Sequence, residues 1–436
     1  MSSGCTIDAS RLLSRLHRRT PTGIDRVEFA YARHYLGESS REDARALVTT
    51  PVNTGLLSRR TVRELMQVAE ARWLSRDAVP SGPAWNSLCE VLRSPIRAEG
   101  PRPAISESMD GDRNAVAARA VIRRAYVEAT LNGISGRLPH PAEPAWYLHV
   151  SHINLHNPAR LRWMTASRNL RSIFLVHDLI PLSHPEYFLP GEDVRHRTRM
   201  ETIARQADVV IFNSRATQTA WDEFVAANHL PRPPGSVVAL GTEEVFLKVG
   251  AALNSDVPYF VAVGTLESRK NLSFLLHVWK AWTQASSIPR ARLVIIGRRG
   301  RHSENTTDLI DRSAALASTI VEMGELSDAG LAILLRGARA LLAPSLIEGF
   351  GLPIAEALAL GVPVIASDIT AHREVGKKCA EYLDPLDGPG WFQAIDDYAE
   401  PSSERRAIMQ HTILGYRAVT WEEHLQAVKD ILAKRS

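Results

Sequence analysis

The sequence predicts an α/β protein built from two Rossmann-like, doubly wound parallel-sheet domains facing each other across a cleft. Three observations carry this. At 436 residues the chain is about twice the length at which single hydrophobic cores stop growing, so two cores are the natural arrangement. Short β-branched runs alternate with amphipathic helical stretches, which is the βαβ rhythm of a parallel sheet covered on both faces. The rhythm breaks at a polar connector near residues 242–257 and then restarts.

In the first half the expected strands are CTIDA, ARALVTT, WYLHVSH, RSIFLVHD, DVVIFNS and SVVALG, with helices in GIDRVEFAYARHYL and SRATQTAWDEFVAANHL. Residues 75–143 interrupt this pattern with SGPAW, RSPIRAEGPRPA and SMDGDRN around one helical stretch near 114–131, and read as an irregular insertion. The second half runs VPYFVAVG, helix NLSFLLHVWKAWTQA, RLVIIG, TIVEMG, helix SDAGLAILLRGA, RALLAPS, helix PIAEALAL and VPVIAS. The expected division is a first domain over 1–242, a second over 256–415 and a C-terminal helix within 416–436, whose stretch WEEHLQAVKDILAK can pack on either domain. In open α/β folds ligands bind beyond the carboxyl ends of the strands, which places the site in the cleft.

Composition narrows the class. The chain is 45% hydrophobic and 23% charged, ordinary for a globular protein and far from disorder. Its start, MSSGCTIDASRLLSRLHRR, lacks the apolar core of a signal peptide, and no run of 18 apolar residues occurs, so a cytoplasmic protein is expected. Cys5, Cys89 and Cys379 form no CxxC pair and read as reduced, buried residues, with neither a disulfide framework nor a metal site expected. His152 and His156 have a metal-pair spacing, but Pro158 follows at once and no acidic partner is evident. A net charge of +4 is too small for a nucleic-acid protein and suits anionic substrates or peripheral contact with an anionic membrane surface.

Four stretches carry chemistry. In EGFGLPIAEALALG, Pro353 suits the first turn of a helix and Gly361 the position after its end. Just before the helix, Gly349, Phe350 and Gly351 allow close backbone approach, with amides and the positive helix end pointing at a phosphate; such a turn also serves purely conformational needs. Glu348 precedes the glycines and Glu356 is expected in the first helical turn. Carboxylates there repel phosphate but accept hydrogen bonds from hydroxyls, of which sugars are the obvious source. Their simpler roles are a solvated loop acid and an acid complementing the helix dipole. In VAVGTLESRKNL, Arg269 and Lys270 follow Gly264 at a strand-to-helix junction, placed to neutralise a diphosphate. In HDLIPLSHP, His177 and Asp178 emerge at the end of an inner strand, where the histidine can reach a donor sugar or serve as a structural group. PTGIDRV puts Gly23 in the loop between first strand and first helix, with Arg26 one turn on.

Together, EGFGLPIAEALALGVPVIAS, GTLESRKNL, HDLIPL and TGIDRV resemble the retaining nucleotide-sugar glycosyltransferases of family 4, which have the GT-B fold. The likeness is strongest over roughly residues 256–385. It implies that Glu348 contacts the transferred sugar and Glu356 the ribose hydroxyls, that the amides of Phe350, Gly351 and Leu352 hold the diphosphate with Lys270, and that His177 reaches the sugar. Gly23 matches the glycine of the first loop, and the base is implied near Met323. Thr265 stands where many members carry arginine, and Arg269 is expected to supply that charge.

The resemblance implies leaving-group stabilisation by Arg269, Lys270 and the loop amides, with no metal and no further cofactor. Glu348 is expected to act as a hydroxyl acceptor rather than a covalent nucleophile. The subgroup with TGI-x-RV and HDLIP implies hexose transfer in bacterial surface-polysaccharide synthesis, with GDP-mannose as the favoured donor and a glycan on a lipid diphosphate carrier as acceptor, at the inner face of the membrane. The rival expectations are a GT-B epimerase or phosphorylase, and a nucleotide-sugar-binding scaffold without turnover.

Overall fold

The computed structural model describes residues 4–38, 40, 43–74, 82–96, 105, 113–139, 141–167, 169–285 and 289–435. These form two compact units, each built on one sheet. Unit 1 comprises residues 1–74, 111–240 and 421–436; unit 2 comprises 75–110 and 241–420.

The sheet of unit 1 contains β1 (Gly4–Asp8), β2 (Ala44–Thr49), β3 (Thr54–Leu56), β4 (Ala145–His149), β5 (Leu170–Val176), β6 (Val209–Phe212) and β7 (Gly235–Val237), in the order β3-β2-β1-β4-β5-β6-β7. All neighbours are parallel except β2 and β3, which form a hairpin. The sequence reading missed β3 because three residues are too few to show an alternation. The inner strands are continuous apolar runs buried on both faces, as in VVIF of β6.

Unit 2 repeats the plan with β8 (Tyr259–Val263), β9 (Arg292–Ile296), β10 (Ile320–Met323), β11 (Leu341–Ala343), β12 (Val364–Ser367) and β13 (Glu381–Leu383), all parallel, in the order β10-β9-β8-β11-β12-β13. Its core gathers around the helix Leu272–Gln284, which buries Leu272, Leu275, Leu276, Trp279 and Trp282 at helical spacing. Trp282 donates Nε1–H to Asp396 at 2.9 Å.

The expected insertion over 75–143 is not one excursion. Its helix Pro83–Arg93 belongs to unit 2, where Arg292 donates to the Ser94 carbonyl at 2.7 Å. The 22-residue helix Arg113–Ile134 instead packs Ala118, Val121, Ala125 and Ala129 into the core of unit 1. Proline, glycine and charge disguised the helix Pro83–Arg93 as loop, and the helix expected near 114–131 is present but packs as core rather than standing in an excursion; residues 75–81, 97–104, 106–112 and 140 of that stretch lie outside the described residues.

The C-terminal helix Trp421–Ala433 belongs to unit 1. His424 fixes it there, with Nδ1 at 2.8 Å from the Ala239 carbonyl and Nε2 at 2.8 Å from Tyr31 Oη. Cys5 and Cys379 are buried as expected and form no disulfide, whereas Cys89 is only half-buried.

Candidate active site

In unit 2 the chain runs β8, β9, β10 toward one edge of the sheet and then returns to place β11 on the other side of β8. A gap opens at such a reversal beyond the carboxyl ends of the two strands. A pocket lies there, lined by Gly264, Lys270, Ser345, Glu348, Gly351 and His372 among others.

Glu348 is its electrostatic centre. Arg269 donates Nη1–H to Glu348 Oε2 at 2.8 Å, Ser345 donates its hydroxyl to Oε1 at 2.9 Å, and the Lys270 ammonium donates to the same Oε1. The Arg269 carbonyl accepts from the Leu346 amide at 2.8 Å, which ties the two loops together. Burial pushes the Glu348 carboxyl up, but Lys270 and Arg269 outweigh that and hold it well below the usual carboxylate range. It therefore stays ionised and cannot donate a proton, while a carboxylate's four lone-pair sites leave room for a further donor.

Gly264 and Gly351 shape the walls. Gly264 has φ +142°, donates its amide to the Ile296 carbonyl at 2.9 Å, and lacks the Cβ that would stand 3.3 Å from Lys270 Cε. Gly351, at φ +110°, is the N-cap of the helix Leu352–Ala359, with Pro353 in its first turn and Gly361 in the left-handed region just past its end. The amides of Phe350, Gly351 and Leu352 meet no hydrogen-bond acceptor among the described residues. Three successive unpaired amides at a helix N-terminus, beside two cations, form a receptor for an anion.

Glu356 differs from expectation. It is the fifth residue of its helix, so it lies past the first turn, and it is buried at 3% exposure. Its simpler role as a first-turn acid is thereby removed. Met323 closes β10 and its carbonyl already accepts the Gly297 amide at 2.9 Å. His372 was not anticipated: TAHREV carries no local signal, and only the pairing of β12 beside β11 brings the helix Thr370–Gly376 to the pocket.

The remaining two candidates lie in unit 1, at the carboxyl end of its sheet. Gly23 is the first residue of the helix Gly23–Leu36, whose N-cap Thr22 forms a reciprocal capping box with Asp25. Asp25 also accepts from Arg11 at 2.6 Å, which anchors the preceding loop. His177 follows β5, and its backbone carbonyl is held by Asn213 at 2.9 Å and Thr217 at 3.2 Å. Its Nε2–H donates to the Val150 carbonyl at 2.8 Å, which leaves Nδ1 as an acceptor. Burial lowers this imidazole to about 4, against the opposing pull of the Val150 carbonyl and Asp178, so it is neutral near pH 7.

Two doubly wound sheets, one carrying a buried carboxylate clamped by two cations beside a glycine-rich helix start, have the architecture of the GT-B fold. The comparisons with known proteins name its domain: residues 246–379 match the family "Glycosyl transferases group 1", and the chain carries that domain. O-antigen chain mannosyltransferase B of Escherichia coli is 28% identical over 307 residues, covering 66% of this chain and 76% of that protein. The serotype-specific mannosyltransferase WbdA of Escherichia coli is 28% identical over 255 residues, but the chain spans only 31% of its length. Among solved structures, the N-terminal domain of Candida albicans trehalose-6-phosphate phosphatase aligns over 99% of this chain and 97% of its own at TM-score 0.61 and 16% identity. HepE of Anabaena, in complex with UDP and glucose, aligns over 66% of this chain and 77% of its own at TM-score 0.52 and 17% identity. At such identities these structures support the fold.

Proposed function

We propose that this chain is a retaining hexosyltransferase that takes its sugar from a nucleotide diphosphate donor, GDP-mannose being favoured, and adds it to a growing surface-polysaccharide glycan on a lipid diphosphate carrier. The observation that carries the reading is the group formed by Glu348, Lys270, Arg269 and the unpaired amides of Phe350, Gly351 and Leu352. A diphosphate placed on these amides lies beside the Lys270 ammonium, which has three donors and gives one to Glu348. As the sugar–phosphate bond breaks, charge accumulates on the leaving diphosphate, and the amides, Lys270 and Arg269 take it up. Glu348, held ionised, accepts hydrogen bonds from hydroxyls of the transferred sugar. Neutral His177, with Nδ1 as an acceptor, suits a second sugar hydroxyl. Glu356 serves the ribose and the strand end at Met323 the base. Mannose and polysaccharide are favoured because the relatives above are named as O-antigen and serotype-specific mannosyltransferases.

A panel of nucleotide sugars, assayed for binding and for slow donor hydrolysis, tests the reading. GDP-mannose is expected to be preferred. Preference for UDP-glucose or UDP-N-acetylglucosamine overturns the donor assignment, and interconversion of the sugar without transfer overturns the reaction class.

A further inference from the structure

We infer that the outward face of the helix Arg113–Ile134 is a docking surface for an anionic lipid bilayer. This helix is apolar on two opposite sides. One side, Ala118, Val121, Ala125 and Ala129, is buried in the core of unit 1. The other carries Val116 at 75% exposure, Val127 at 53%, Leu131 at 61% and Ile134 at 71%. At 3.6 residues per turn these four side chains fall within an arc of about 60°, directed away from the buried side, along roughly 27 Å of helix. Solvent-exposed apolar side chains scattered singly need no explanation, but four aligned on one helix face, three of them within two turns, do.

Charge identifies what covers the stripe. The helix sequence holds four arginines against a single glutamate. By the same geometry Arg119 and Arg123 flank the stripe on one side and Arg124 on the other. Arg119 and Arg123 are exposed and form no ion pair among the described residues. Arg124 is half-exposed while pairing with Glu64. The one acid, Glu128, is turned inward and accepts the Ser58 amide at 2.8 Å. An apolar stripe bordered by arginines matches an interfacial helix, in which apolar side chains enter the acyl boundary and guanidinium groups reach lipid phosphates. A protein partner fitting this stripe would have to be both apolar and acidic along its length; an anionic bilayer is both by construction. The helix is rigidly mounted for the purpose: Asn53 donates to the Thr130 carbonyl at 2.9 Å and Asn132 to the Leu56 carbonyl at 2.8 Å, joining it to the β2–β3 hairpin. No helix among the described residues is long and apolar enough to cross a membrane. The proposal rests on the lipid-linked acceptor of the function proposed above and names the surface that would meet the membrane holding it.

The test is co-sedimentation of the full chain with vesicles of equal parts phosphatidylglycerol and phosphatidylethanolamine, compared with pure phosphatidylcholine. Wild type is expected to partition to the anionic vesicles, less so as salt is raised. Leu131→Glu with Ile134→Glu should lower partition at least about tenfold, and Arg119→Glu with Arg123→Glu by about fivefold per arginine. The control pair Ile408→Glu with Leu414→Glu, exposed apolar residues elsewhere, should leave it unchanged. Thermal unfolding and donor hydrolysis should match wild type in all variants, which separates lost docking from lost fold. Anionic-vesicle binding that survives both helix pairs overturns the proposal. So does a wild-type dimer in light scattering that Leu131→Glu with Ile134→Glu abolishes, because the stripe is then covered by a second copy. Failure of donor hydrolysis in the wild type would count against the transferase reading and leave the vesicle result standing.

Discussion

His372 donates Nδ1–H to the carbonyl of Ser367 at 3.0 Å, so while the ring is neutral the nitrogen it turns toward Gly351 carries no hydrogen. Burial holds this imidazole below its ordinary range, and the nearby Lys270 adds to that, while Glu348 and the Ser367 carbonyl pull the other way. Among the described residues Nε2 has no hydrogen-bond partner.

A diphosphate held by the loop amides changes that balance, because its negative charge raises the affinity of His372 for a proton. The protonated ring then offers Nε2–H to a phosphate oxygen. The sign follows: the group is neutral in the free protein and charged in the complex, so affinity is strongest at low pH and weakens as pH rises through the bound-state value. Dissociation constants for GDP between about pH 6 and 8 should rise with pH. The slope should be shallower in His372→Gln; the terminal phosphate titrates with both proteins and cancels in the comparison. Equal slopes would show that His372 takes no proton.

Removing one member of the Glu348 cluster should separate binding from transfer. Lys270→Met deletes a charge-assisted donor, worth about 1.5–3 kcal/mol, and should weaken nucleoside diphosphate binding by about tenfold or more. Glu348→Gln keeps the size of the side chain but removes the carboxylate that both cations share, while Arg269 keeps its pairing with Glu267 at 3.2 Å. Nucleoside diphosphate affinity should stay the same or tighten, while kcat for sugar transfer falls by about a hundredfold or more. Isothermal titration with GDP and a radiolabelled-sugar transfer assay measure the two effects. Normal transfer by Glu348→Gln would remove Glu348 from the reaction.

Gly264→Ala tests whether the strand end positions the lysine. The φ of +142° strains any other residue there, at a cost of about 1–3 kcal/mol. The new Cβ meets the flexible end of Lys270, at 3.3 Å from Cε and 3.5 Å from Nζ, so Lys270 moves and the backbone keeps its place. A fall in Tm of several degrees is expected together with a nucleotide affinity loss approaching that of Lys270→Met. A fall in Tm with unchanged affinity would mean that the strand end at Gly264 does not set the position from which Lys270 acts.

Much of this arrangement is legible in the sequence because parallel strands are buried on both faces and read as plain apolar runs. β6 and β9 show it, and so do the helix bounds set by Asn271, Pro353 and Gly361. Three-residue strands such as β3 and β13 are too short to carry a period and depend on their neighbours. The cluster on Glu348 joins residues 78 and 79 positions apart; motif position suggests their shared site, but mutual ion pairing emerges only in three dimensions. His372 was hidden because nothing local marks a pocket histidine. The helix Arg113–Ile134 was legible as a helix but not as core, since its buried face is mostly alanine.

Glu28 gives a prediction about stability. It is fully buried on the helix Gly23–Leu36, where its Oε1 accepts the Leu12 amide at 2.7 Å. Burial and the negative charge of Asp8 raise its carboxyl from 4.5 to about 8, so it is protonated at neutral pH in the folded protein and ionised in the unfolded chain. Between those values Glu28 binds more protons in the folded than in the unfolded state, so its contribution to stability falls as pH rises from about 5 to 8 and levels off above, while buried imidazoles such as His177 and His424, held low, contribute the opposite way below about pH 6.5. The full span of this one group is on the order of 5 kcal/mol. Glu28→Gln keeps the acceptor for Leu12 and cannot ionise. Urea unfolding followed at several pH values in that window should show wild type losing stability relative to Glu28→Gln as pH rises, since the histidine contributions are common to both proteins and cancel. The variant should be the more stable protein at pH 8. Parallel pH profiles in the two proteins would place the titrating group elsewhere.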